Sequence, residues 1–216
     1  MAKTILVTGR EGYLSGEIAQ HFLNLGCRVA VSASRRTEGP APSEKERKLL
    51  QISWNRASAA SCKNLLFKID QDFTALDEVW IVVSPEREAL SLSDLTASAI
   101  DETLDVQIKG LLYLVRELVQ RQLSSPRLAL HFVFYDEDPA SLPPLAALHY
   151  HGMKASVRGL MTQARKRSVG IWAYESHTPK PDEFLSSILA ADQFPPGVWH
   201  ALGEKKSRSW FGKKEP

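Results

Sequence analysis

Short apolar runs alternate with amphipathic stretches along most of this 216-residue chain. Thr4-Ile5-Leu6-Val7 is the kind of compact run that fills a strand buried on both faces. It opens into Thr8-Gly9-Arg10-Glu11-Gly12-Tyr13-Leu14-Ser15-Gly16. Apolar positions at Ile18, Ala19, Phe22, Leu23 and Leu25 then predict a helix stopped by Gly26. A second strand is predicted over 28–32, and the Pro-, Gly- and Ser-rich stretch 37–43 reads as loop. Further on, Leu49, Leu50 and Ile52 suggest the inner face of a helix over 44–56. The runs 65–69 and 78–83 read as the third and fourth strands. A long helix is predicted over 94–122, broken near Ile100, with a wide apolar stripe through Leu104, Ile108, Leu111, Leu112, Val115, Leu118 and Val119. Strand five is placed at 128–135, a helix at 144–167, strand six at 169–174, a short helix at 181–190 and a last strand at 198–202. This alternation predicts an α/β fold, a doubly wound parallel sheet with helices on both faces in three layers. No repeat is visible, so one domain is expected over 1–204, followed by a basic tail at 205–216.

Composition narrows the class without changing that picture. An apolar fraction of 44% and a charged fraction of 24% are ordinary for a soluble globular protein. A formal charge of +2 is too small to argue for nucleic acid or a membrane surface as partner. Cys27 and Cys62 have neither metal-site spacing nor a disulfide framework, which suits a reducing cytoplasm. The first apolar run is too short for a signal peptide, and no run reaches the ~20 residues that span a bilayer. The expectation is a soluble, cytoplasmic protein acting on a small molecule, with no metal.

Two stretches carry chemistry. The first is the glycine-rich turn, which sits in a strand–turn–helix–strand unit. Gly9 and Gly12 let backbone approach a pyrophosphate, and the amides opening the helix at Tyr13 and Leu14 supply free N–H groups and a positive dipole end. No acidic residue ends the second strand to bind ribose hydroxyls. Arg35 and Arg36 stand there instead, which tilts the cofactor toward NADP; two solvated arginines are the plainer alternative. The second stretch is Tyr150-His151-Gly152-Met153-Lys154. On a helix, Tyr150 and Lys154 share one face, and an ammonium beside a phenol lowers its pKa from about 10. Such a tyrosine is able to act as acid or base near neutral pH, whereas an isolated Tyr–Lys pair with this spacing is more simply a surface pair.

In this order on one doubly wound chain, the two stretches resemble the short-chain dehydrogenase/reductase family, whose fold is of Rossmann type. The resemblance covers about residues 3–190. Thr8-Gly9-x-x-Gly12-Tyr13-Leu14-Ser15 is similar to the glycine turn of the family's extended branch, with Ser15 in place of a third glycine. Asp70 is identified with the acidic residue that comes after strand three and contacts the adenine. Asp105-Val106-Gln107-Ile108-Lys109-Gly110 resembles a motif of the central helix, with Gln107 in place of an Asn that holds a proton-relay water. The stretch from Lys154 to Leu160 resembles the segment just after the family's active-site tyrosine. The resemblance implies an NADP(H)-dependent oxidoreductase acting on a carbonyl or hydroxyl group. Tyr150 would be its acid or base, and Lys154 would lower the tyrosine pKa and hold the cofactor ribose. It also implies a homodimer through helices 102–122 and 144–167.

The departures are specific. The family's serine, thirteen residues before the tyrosine, corresponds to Glu137, and the nearest serine is Ser141. Val82-Val83-Ser84-Pro85 replaces Asn-Asn-Ala-Gly, His177-Thr178-Pro179 replaces a Pro-Gly, and the segment that folds over substrate is shortened. These departures open two alternatives: a non-catalytic member that senses NADP or binds a partner, and a cofactor-independent isomerase or dehydratase using Asp136 to Asp138 as base. His149 and His151 point about 100° to either side of Tyr150 on the helix, so they rank below Ser141 as substitutes for the serine.

Overall fold

The computed structural model describes residues 2–33, 48–73, 75–87, 92–124, 127–164, 170–190 and 194–203. Seven parallel strands form one sheet: β1 (Thr4–Gly9), β2 (Arg28–Ala33), β3 (Leu49–Ser53), β4 (Glu78–Val83), β5 (Ala129–Phe134), β6 (Ile171–Ser176) and β7 (Trp199–Leu202), in the order β3-β2-β1-β4-β5-β6-β7. Parallel strands need crossovers, and the described helices, on both faces of the sheet, supply all but the one from β2 to β3, most of which lies outside the described residues. They are α1 (Tyr13–Asn24), α2 (Ala59–Asp72), α3 (Ala97–Glu102), α4 (Gly110–Ser124), α5 (Pro144–Ala164) and α6 (Pro181–Leu189). This is the expected three-layer α/β architecture. No described helix is long and apolar enough to cross a membrane.

Side chains of each strand alternate between two cores. Leu6, Ala30, Ile81, Phe132 and Ala173 pack under α2, α4 and α5, while Ile5, Val7, Val29, Val82, Val133 and Tyr174 pack under α1 and α6. Strands buried on both faces read as unbroken apolar runs, which is why β1, β4 and β5 stand out in the sequence. On the α1/α6 face, Trp80, His131 and Trp172 are register partners on β4, β5 and β6. They stack with ring centroids 4.3 and 4.8 Å apart.

Two elements differ from the sequence prediction, and they exchange roles. Residues 49–53 form a strand, not part of a helix over 44–56, and Ile52 is its buried member. Residues 65–69 lie inside α2, not in a third strand. Ser58 caps α2 by accepting the Ser61 amide at 3.2 Å, and Cys62, Leu65, Leu66 and Ile69 face the core at helical spacing. Each large apolar side chain buried this way contributes about 1.5–3 kcal/mol, enough for the 3.6-residue period to prevail over the β-like local run. The expected break in the long helix lies just beyond Ile100, where Thr103–Lys109 is wound as a π-helix between α3 and α4. Arg35, Arg36 and the tail at 205–216 fall outside the described residues.

Candidate functional site

The carboxyl ends of β1, β3 and β4 open into two hollows that share Arg10 and Glu11. Carboxyl ends at the point where strand order reverses are where open α/β sheets bind ligands, and here the order reverses beside β1. The larger hollow, about 550 Å³, is lined among others by Arg10, Trp54, Arg56, Val106, Gln107 and His149. The smaller, about 200 Å³, is lined by Gly12 to Ser15, Ser84, Tyr135 and Glu137 among others. Together they fall within the 300–1,000 Å³ usual for ligand pockets.

The glycine turn forms the ridge between β1 and α1. Gly9 has φ +102°, and a Cβ there would overlap the Val82 carbonyl oxygen, so only glycine fits. Gly12 has φ +155° and open space where a Cβ would be. Ser15 does not crowd the turn. Its Oγ accepts from the Gly12 amide at 3.1 Å and donates to the Gly12 carbonyl at 3.0 Å, fixing the start of α1. Two guanidinium groups flank the turn. Arg10 donates to the Pro85 carbonyl, and Arg56 donates to the Gly9 carbonyl while lying over the Trp54 ring at 5.4 Å. Arg56 can come this close because position 110 is glycine: a Cβ on Gly110 would be 2.7 Å from the Arg56 Cβ. Burial lowers the Arg56 pKa, opposed by the charges of Glu11 and Glu86.

His149 faces the larger hollow from α5. It is 4% exposed, and its Nε2 has no hydrogen-bond partner. Burial, reinforced by the positive charges of Arg56 and Arg10, pushes the imidazole down to about 4, so the ring is neutral at pH 7.

Tyr150, one position on, turns the other way. It is completely buried, stands edge-on to Phe134 at 5.9 Å, and its hydroxyl has no partner. Lys154 Nζ is 5.3 Å from the centre of the Tyr150 ring, but its hydrogen bond goes to Glu175 Oε1. Glu175 Oε2 accepts from Trp199 Nε1 at 2.8 Å. The expected lowering of the phenol pKa is therefore reversed. Burial, then the negative charges of Glu175 and Asp136, raise it well above the ordinary tyrosine value. Neither hollow is lined by Tyr150 or Lys154.

The other expected residues divide. Gly9, Gly12, Tyr13 and Leu14 form the turn, and Gln107 lines the larger hollow from the π-helical segment. Ser141 lies on an exposed turn, its hydroxyl donating to the Asp138 carbonyl at 3.3 Å, and lines neither hollow. Asp70 is on α2, not at a strand end, where Arg121 holds both carboxylate oxygens at 2.8 Å. Trp54 and Asn55 are the residues that come after the true third strand. In the acidic stretch, Asp136 is gripped by Arg87 and accepts the Asp138 amide at 2.8 Å, while Glu137 lines the smaller hollow. Arg10, Trp54 and Arg56 were not singled out by the sequence. The one visible signal was an arginine placed inside the glycine turn.

Residues 3–168 match the model of the short chain dehydrogenase family. No curated protein matches the chain. Among solved structures, a short chain dehydrogenase from Bacillus anthracis superposes with a TM-score of 0.73 at 14% identity, covering 93% of this chain and 94% of that one. ElxO, solved with NADP bound, gives 0.77 at 12% identity, covering 93% and 97%. A 3-ketoacyl-(acyl-carrier-protein) reductase from Brucella melitensis, complexed with NADH, gives 0.73 at 14%, covering 93% and 96%. At these identities the structural likeness speaks for the fold, and the family match carries the assignment: the chain belongs to the short chain dehydrogenase family.

Proposed function

We propose that the chain is a nicotinamide-dinucleotide-dependent oxidoreductase, with NADP(H) as cofactor, acting on a small carbonyl or hydroxyl compound in the cleft. The observation that carries this reading is the pair of adjoining hollows at the strand reversal, set between a glycine turn and the unpartnered His149 imidazole. The residues present fit a dinucleotide. The first amides of α1 suit its pyrophosphate, Arg10 and Arg56 place positive charge beside it, and Trp54 offers an aromatic wall. When bound, the dinucleotide supplies or accepts the hydride. This chain's own part is to orient the substrate oxygen. Among the residues lining the larger hollow, the His149 imidazole and the Gln107 side-chain amide offer N–H donors to a developing oxyanion. Tyr150 belongs to the core in this reading. The buried, unpaired Cys27 and Cys62 fit a reducing cytoplasm.

The test is NADPH oxidation followed optically with a panel of small carbonyl compounds. Tyr150→Phe should keep turnover within about threefold. His149→Gln should lower it by ~10²-fold or more, as loss of an oxyanion donor does elsewhere. The reading fails if Tyr150→Phe abolishes turnover while His149→Gln leaves it intact. A second reading, a cofactor-sensing member without turnover, is favoured by the Lys154–Glu175 ion pair, which ties the family's lysine away from the tyrosine hydroxyl. Tight NADP(H) binding with no turnover for any carbonyl tested would select it.

A further inference from the structure

The larger hollow holds two guanidinium groups and a buried imidazole, and although Glu11, Glu86 and Glu102 also line it, none of them forms an ion pair with either guanidinium. Arg10 and Arg56 are each bonded to main-chain carbonyls, Pro85 and Gly9, and neither has a carboxylate within ion-pair distance among the described residues. Each guanidinium carries five N–H donors, so both retain capacity for a further acceptor. His149 Nε2 is buried in the same wall with no partner at all. A buried ring nitrogen without a partner, in a wall that also carries two cations, is an unfavourable arrangement unless something completes it. An oxyanion that accepted from both guanidiniums and from Nε2–H would complete it.

We propose that Arg10, Arg56 and His149 form one anion site, taking a phosphate or carboxylate group, and that filling this site protonates His149. This rests on the reading of the hollow as the ligand cleft and goes beyond it by naming the charge that the cleft selects. The physical chain is short. An imidazole facing two positive charges and shielded from water resists a proton. An anion cancels those charges and accepts from the imidazolium, so the charged form becomes the favoured one. Binding and protonation are then linked, each strengthening the other by the same factor. The ionisable groups around the ring come from every bordering element: Arg10 and Glu11 from the β1–α1 turn, Arg56 from the loop after β3, Glu86 from the loop after β4 and Glu102 from α3. The three carboxylate residues are exposed.

Sulfate is the direct probe, because it does not titrate between pH 4 and 8. Histidine ring signals are followed by NMR across that range, with His149 assigned by its loss in His149→Gln. Saturating sulfate should raise the His149 midpoint from about 4 to the ordinary value near 6.5. Sulfate affinity should then be roughly tenfold greater at pH 5.5 than at pH 8, by the linkage of binding to protonation. Arg56→Met should abolish the shift and Arg56→Lys should restore part of it, with circular dichroism confirming that each variant is folded. An unchanged His149 midpoint in saturating sulfate, or a full shift persisting in Arg56→Met, overturns the proposal. The same titration with NADP⁺ and NAD⁺ identifies the source of the group. A shift with NADP⁺ alone assigns the 2′-phosphate, and a shift with both assigns the pyrophosphate. A shift with sulfate alone assigns the substrate's own anion, and in that case calorimetry showing no dinucleotide binding would sink the oxidoreductase reading while leaving the anion site standing.

Discussion

Replacing Tyr150 by phenylalanine separates a core residue from a catalytic one in a single variant. In the structure the hydroxyl is fully buried and bonded to nothing, so the folded state carries the desolvation cost of a polar group without return. Such an orphan costs about 1–3 kcal/mol. Phenylalanine removes it and keeps the ring against Phe134, at the loss of a few contacts to one oxygen atom. The net expectation is a gain of about 1 kcal/mol, or ~2–4 °C in Tm for a domain of this size. Urea unfolding at pH 7, with an unchanged slope and a higher midpoint, measures it. The alkaline side gives a second reading. Tyr150 holds its proton above its unfolded value, so above pH ~10 the unfolded chain ionises while the folded one does not. The folded state then binds more protons, and stability falls as pH rises, by about 1.4 kcal/mol per pH unit for each such group. Tyr150→Phe removes this residue's share and leaves that of Tyr174, which burial also raises. A catalytic tyrosine predicts the reverse pattern: little change in stability and turnover lower by 10²–10⁴. A variant that is destabilised by more than about 1 kcal/mol, or that loses turnover on that scale while folded, refutes the core assignment.

Other consequences are equally concrete. Glu175→Gln should cost about 3 kcal/mol in urea unfolding, since it strands the largely buried Lys154 ammonium; adding Lys154→Met should recover a good part, and a neutral single variant would show that the pair is solvated. His131 is pushed down to about 3 by burial, whereas an unfolded imidazole takes its proton near 6.5. Between those values the unfolded state binds more protons, so stability rises with pH there and is lost on acidification; His131→Phe, which keeps a flat ring in the Trp80–Trp172 stack, should flatten this slope by about 1.4 kcal/mol per unit in unfolding measured from pH 4 to 7. Leu112 on α4 and Leu148 on α5 are 41% and 46% exposed, and we expect these helices to pair two chains. Light scattering at micromolar concentration should give twice the chain mass, reduced by half in Leu112→Asp; a single-chain mass for the unmodified protein removes the expectation.

Most of the fold could be read from the chain because its central strands are buried on both faces and leave unbroken apolar runs. The region before β4 failed for a physical reason. Leu65-Leu66-Phe67-Lys68-Ile69 is short and apolar enough to mimic a strand, and the helical period shows only when Cys62 is counted with it. Placing the third strand there carried Asp70 to a strand end it does not occupy. The glycine turn was legible because Gly9 is required by backbone clearance. The orientation of α5 was not, since spacing alone fixes Tyr150 and Lys154 relative to each other and says nothing of which way they turn. A stripe was available to settle it: Tyr150 falls in line with Met153, Val157 and Met161, all buried, and this leaves His149 to the cleft. Arg56 was invisible because its role depends on Gly110, a distant position in the chain.

The strand order also has a consequence for how the chain is made. Outward from β1, the sheet first grows to one side through β2 and β3; β4 then pairs with the other edge of β1, and β5, β6 and β7 each join the edge left by the strand before. No strand waits for a later one in order to be flanked by its earlier neighbour. A ribosome releasing this protein from its amino terminus therefore exposes a single growing edge at a time on the β4–β7 side. The glycine turn, Trp54 and Arg56 emerge early, whereas His149 arrives only with α5. The cleft is thus assembled in two parts, the turn and the Trp54–Arg56 wall first and the His149 wall well after.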